Sequence, residues 1–117
     1  MEQEDTVNLT DTDTTERVAR GATLLDERVP GWRSLVKPAD LRMTDGSTCI
    51  VGQLSLAGAW ERYLYGPYTS GLEALGLTDQ EAHQHGFVTY YDGTEEMDYD
   101  GTAALTEHWI KVINNPA

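Results

Sequence analysis

SGLEALGLTDQEAHQHGF, residues 70–87, decides the fold class, because two helix-start signals and two helix-stop signals fall within it. Ser70 with Glu73, and Thr78 with Glu81, have the spacing of capping boxes, in which a hydroxyl satisfies the third helical amide and a carboxylate reaches back to the cap. Gly76 lies between them as a C′ glycine, and Leu77 can serve the first helix as exit contact and the second as staple. Gly86 then Phe87 repeats the glycine-then-apolar exit. The spacing predicts two short helices, near 71–75 and 79–85.

Toward the C-terminus, FVTYY (87–91) is rich in β-formers and Asp92-Gly93 is a hairpin-type turn, but TEEMD beyond it is poor strand material. That leaves room for a short β-hairpin near 87–97. Leu105, His108, Trp109, Val112 and Ile113 then recur at helical spacing, predicting a helix over 101–114 with Asp100 as its cap. Toward the N-terminus, Ser47 or Thr48 can cap a helix carrying Ile50, Val51, Leu54, Ala57, Gly58 and Leu64, closed by Gly66 and Pro67. Trp32, Leu35 and Val36 read as an irregular or short helical connector ending at Pro38. Asp13 with Glu16, followed by Val18, Gly21, Ala22, Leu25 and Val29, gives a helix over 14–28, stopped by Pro30 and Gly31. The fold class expected is mostly α: a small single-domain helical bundle of about five helices.

A chain of 117 residues holds one ordinary domain. Residues 1–12 are acidic, with only a scattering of apolar side chains after Met1, so they are expected to form a disordered tail, with the domain over 13–117. Twenty acids against eight bases give a net charge of −12, which opposes any broad approach to nucleic-acid phosphates or anionic lipid. No run of 18 apolar residues occurs, and acids stand where a leader would need bases, so the expectation is a soluble cytoplasmic protein without direct nucleic-acid or membrane binding. Cys49 is the single cysteine, which excludes an internal disulfide. The charges are unevenly spread. Seven of the eight bases lie in 17–62, whereas 63–110 holds nine acids and no lysine or arginine.

The landmarks ARGATLLDERVPGW (19–32), CIVGQL (49–54), GLEALGL (71–77), HGF (85–87) and ALTEHW (104–109) resemble, in order and spacing, small uncharacterised proteins of actinobacteria and their phages. The resemblance implies a phage or prophage accessory gene as the source and carries no activity with it. Members of that group often have a second cysteine shortly before the position of Cys49. Here Asp45, Gly46, Ser47 and Thr48 stand instead, which counts against a shared thiolate metal site.

Candidate sites are few. EMDYDGTAALTE (96–107) matches the twelve-position EF-hand loop at Asp98, Asp100, Gly101 and Glu107, with Glu96 in first place. Calcium needs such hard oxygens converging on one point, but Glu96 is one methylene too long, Ala104 offers no ligand, and Asp92-Gly93 interrupts the incoming helix. The competing reading makes Asp98 and Asp100 helix-terminal residues that satisfy free amides. Asp79/His83 and Glu81/His85 form two i, i+4 pairs on different faces, too few for zinc. Cys49 could pair with His85 or His108 as nucleophile and base, though a thiol in an apolar run is ordinarily inert. Trp60, Tyr63, Tyr65 and Tyr68 crowd one segment and read either as a partner-binding patch or as a lid over the core.

No phosphate-binding loop, dinucleotide fingerprint or nucleophile elbow is present, and no cofactor is implied. The expected function is a non-enzymatic accessory protein that binds a protein partner of the bacterial host, with homodimerisation through an exposed aromatic patch left open. The alternative is a DNA mimic, in which the carboxylates of 63–110 imitate phosphates.

Overall fold

The computed structural model describes residues 2–60 and 66–114, with side chains described from residue 13 onward. Among the described residues six helices follow one another: α1 (Glu2–Arg28), α2 (Trp32–Leu35), α3 (Ile50–Leu56), α4 (Pro67–Leu75), α5 (Asp79–Gln84) and α6 (Tyr99–Asn114), with a 3₁₀ turn at Pro38–Asp40. Among the described residues the only β pairing is an isolated antiparallel bridge between Tyr90 and Met97. The mostly α bundle therefore stands. It has one helix more than expected because Gly31, at φ 84°, restarts the chain after α1 and lets Trp32 enter the core from a separate turn.

The 70–87 segment follows its local rules at its second cap and at both exits. Thr78 Oγ1 accepts from the Glu81 amide at 3.1 Å while Glu81 Oε1 accepts from the Thr78 amide at 2.9 Å. Gly76 and Gly86 both take φ 74°, and the amides after them, Leu77 and Phe87, reach back to the Leu72 and Ala82 carbonyls, each at 2.9 Å. The first box is not formed as expected. Pro67 starts α4 at its N-terminus, since its missing amide costs nothing there, and Ser70 ends up buried inside the helix. Gly66 and Pro67 thus open a helix instead of closing one.

Three further boundaries differ. α1 is helical from Glu2, so Asp13 lies within it; residues 2–12 contain no proline or glycine, and acids suit that end of the dipole. Of the tail expected over 1–12, side chains lie outside the described residues. α3 is capped by neither Ser47 nor Thr48 but by Cys49, whose Sγ accepts from the Gly52 amide at 3.2 Å, and it closes by Gly58 at φ 83°. α6 begins at Tyr99 and is capped by Asp98, whose Oδ1 accepts from the Gly101 amide at 3.0 Å; Asp100 is exposed in the first turn.

The core centres on Trp109, fully buried on α6. Its ring stacks on Phe87 at 5.5 Å, meets Trp32 edge-on at 5.8 Å, and donates its Nε1 proton to the Gly86 carbonyl at 2.7 Å. α1 lies against this cluster at Gly21, where an added methyl would collide with the His85 carbonyl and the Trp109 ring. Val18, Leu25, Ile50, Val51, Leu54 and Leu105 complete the interior.

Candidate functional site

Arg17, Arg20 and Arg28 share one stripe of α1, within an arc of about 80° on the helical wheel. Each ends at the C-terminus of another helix. Arg28 Nη1 donates to the Leu75 carbonyl of α4 at 3.0 Å, Arg20 Nε to the Gln84 carbonyl of α5 at 3.0 Å, and Arg17 Nε to the His83 carbonyl at 2.6 Å. These carbonyls sit at the negative end of a helix dipole, where a guanidinium is favoured; the His83 carbonyl also accepts the Gly86 amide at 3.1 Å. Arg17 goes further. Only 4% exposed, it also donates from Nη2 to the Val88 carbonyl at 2.6 Å and to Thr89 Oγ1 at 3.1 Å. Burial lowers its pKa while Asp13, 3.7 Å from Nη1, works against that shift.

Arg17 thereby ties α1 to the segment after α5. Thr89, Tyr90 and Tyr91 run antiparallel to Asp98, Met97 and Glu96: the Asp98 amide donates to Thr89 O at 2.8 Å and the Tyr91 amide to Glu96 O at 3.0 Å. The hairpin foreseen near 87–97 is present in reduced form, turning through Gly93 at φ 72°. His83 Nδ1 accepts the Tyr90 amide at 3.0 Å, so the neutral ring carries its proton on Nε2. The His83 ring stacks on Tyr90 at 5.9 Å and 11°. Its pKa is lowered by burial first and by Arg17 second, against the pull of Asp13 and Asp92.

Between α1, this hairpin and the start of α6 lies a cleft of about 530 Å³, lined among others by Asp13, Arg17, His83, Tyr91, Asp92 and Asp98. Beside it the hairpin arm carries exposed apolar side chains: Tyr91 at 51%, Met97 at 39% and Tyr99 at 61%. The same stretch, 91–100, holds Asp92, Glu95, Glu96, Asp98 and Asp100 and no base.

The aromatic patch expected at 60–68 is arranged differently. Trp60 packs against the core and donates from Nε1 to Ser55 Oγ at 2.8 Å. Tyr68 packs there too, and burial pushes its phenol pKa up. Both serve the lid alternative. Tyr63 and Tyr65 lie outside the described residues. The calcium quartet does not assemble: among the described residues no three His, Cys, Asp or Glu side chains group as a metal site requires. Asp98 spends an oxygen on the Gly101 amide, Glu96 sits exposed on the hairpin, and Asp100 and Glu107 are exposed on α6. Cys49 is buried, its thiol proton is directed at the Gly46 carbonyl and its sulfur accepts from Gly52, and burial pushes its pKa up to about 11. That is an inert capping thiol at neutral pH. His85 donates from Nδ1 to the Glu81 carbonyl at 2.8 Å, and His108 lies 3.4 Å from Thr15 Oγ1.

The arginine stripe and the Tyr91, Met97 and Tyr99 arm were not singled out from sequence. Both had signals: the 17, 20, 28 spacing on one helical face, and the two-residue alternation of FVTYY, which turns Tyr90 inward and Tyr91 outward. No family model, curated protein or solved structure matches the chain. Among the described residues no helix is long and apolar enough to cross a membrane.

Proposed function

We propose that this chain is a small acidic, non-enzymatic accessory protein, encoded by a phage or prophage, that acts in the host cytoplasm by binding a protein partner. One observation carries the reading. Arg17, Arg20 and Arg28 are engaged with backbone carbonyls, while eight of the nine acids of 63–110 are exposed. Three arginines are held against backbone carbonyls of the fold, whereas the acids of 63–110 face solvent in a stretch without lysine or arginine, an arrangement that steers a basic partner and disfavours acidic ones. Exposed tyrosines within that field supply the apolar contact that charge alone does not.

The test is affinity capture from host lysate at moderate salt. A retained protein is expected, and it should be lost when Asp92, Glu95 and Glu96 are replaced together by Asn, Gln and Gln. Capture of nothing sinks the reading. The exposure of those eight acids also favours a second reading, in which they imitate phosphates in a DNA-binding groove. Double-stranded DNA added as competitor separates the two: a mimic's partner is displaced with steep salt dependence, and any other partner stays bound.

A further inference from the structure

We infer that the docking surface is the hairpin arm together with the cleft behind it, and that its occupant is a basic polypeptide segment whose arginine or lysine side chain enters the cleft. The inference rests on the protein-binding reading above and adds a location and a partner chemistry.

The arm combines two features that occur separately elsewhere in the described residues. Its apolar side chains Tyr91, Met97 and Tyr99 stand exposed within ten residues of chain that carry five carboxylates. Leu35 and Leu56 are also exposed, at 41% and 59%, but they border a groove that Lys37 shares with Asp40, with no charge of one sign. The cleft lining points the same way. Asp13, Asp92 and Asp98 face a single guanidinium, and Arg17 has turned its Nε and Nη2 donors to the His83 and Val88 carbonyls and Thr89. The carboxylates come from three elements, α1, the turn and the cap of α6, and they do not converge as metal ligands do. An extended organic cation suits that spread better than a point ion. The stacked His83 and Tyr90 rings form an aromatic wall against which a guanidinium can lie.

Other occupants fit less well. Nucleic acid brings phosphate against carboxylate. A second copy brings −12 against −12 at the most acidic stretch, so self-association through this arm is opposed.

The experiment uses the full chain, labelled with nitrogen-15, and three synthetic twelve-residue peptides of alternating Leu with Arg, Leu with Lys, and Leu with uncharged citrulline. Amide shifts should be confined to residues 13–17, 83 and 89–101 for the arginine and lysine peptides, with citrulline giving none. Tyr91→Ala and Asp92→Asn should each weaken the arginine peptide about tenfold, the size of an interface hot spot, while Leu56→Ala leaves it unchanged. Shifts spread equally over Glu73, Asp79 and Glu107 would reveal a diffuse ion atmosphere and overturn the inference, as would no binding or an unaffected Tyr91→Ala. If a captured host partner is retained equally by wild type and Tyr91→Ala, the location falls and the protein-binding reading survives. If no protein is captured, both fall.

Discussion

The base-bearing stretch 17–62 and the acid-bearing stretch 63–110 are handled in opposite ways by the same fold. Arg17, Arg20 and Arg28 reach across to helix C-termini and to the hairpin, and Arg33 lies on Trp32 while donating to Asp26 at 2.8 Å. Of the acids of the second stretch, Asp98 caps α6 and Glu81 closes the capping box of α5, and the other seven are left in solvent. Four arginines are tied into the fold, and most acids of the second stretch face solvent.

The strongest way to break this comparison is to remove its most buried base. Arg17→Ala leaves the Val88 carbonyl without its donor and the His83 carbonyl with only the Gly86 amide, and should cost roughly 2–4 kcal/mol, read from the urea midpoint. Arg20→Ala, whose bond is exposed, should cost well under half as much. Equal costs would mean that burial of the guanidinium is not what matters.

Next in size is pH. The lowered pKa of His83 means that the unfolded chain takes up a proton near the ordinary value of 6.5 and the folded chain only at lower pH. Between those values the unfolded state binds more protons, so stability present above 6.5 is lost as pH falls through that window. His83→Asn keeps an acceptor for the Tyr90 amide but cannot titrate, and should flatten the slope there. An unchanged slope would assign it to other groups.

Smaller again is the α6 cap. Asp98→Ala should cost about 1 kcal/mol and Asp100→Ala less than about 0.5 kcal/mol. Calcium and magnesium should raise the melting temperature alike and without saturation, since both act only by screening. A saturating effect specific to calcium would restore the ion site that the geometry disperses.

Legibility followed the range of the interaction. The Thr78 box and the glycine exits at Gly76 and Gly86 were readable because every partner lies within five residues. The cap of α6 was misplaced by two residues because Asp98 and Asp100 are chemically equal, and only the path of the hairpin chooses between them. Pro67 was read as a stop because proline ends helices as readily as it begins them, and the direction depends on what the preceding chain does. The site was least legible. The bonds of Arg17 to His83 and Val88 span 66 and 71 residues, and nothing local announces them. Trp60 and Tyr68 had the composition of an interface but turn inward, whereas Tyr91 and Tyr99, with the same chemistry, face solvent.

The central claim is that this outward pair works for binding and not for stability. It is tested most directly by the calorimetric affinity of the captured host partner for wild type and for the double variant Tyr91→Ala/Tyr99→Ala, with melting curves recorded alongside. The account predicts a stability change within about 0.5 kcal/mol and an affinity at least about tenfold weaker. A double variant that binds as tightly as wild type, with its fold intact, would contradict it.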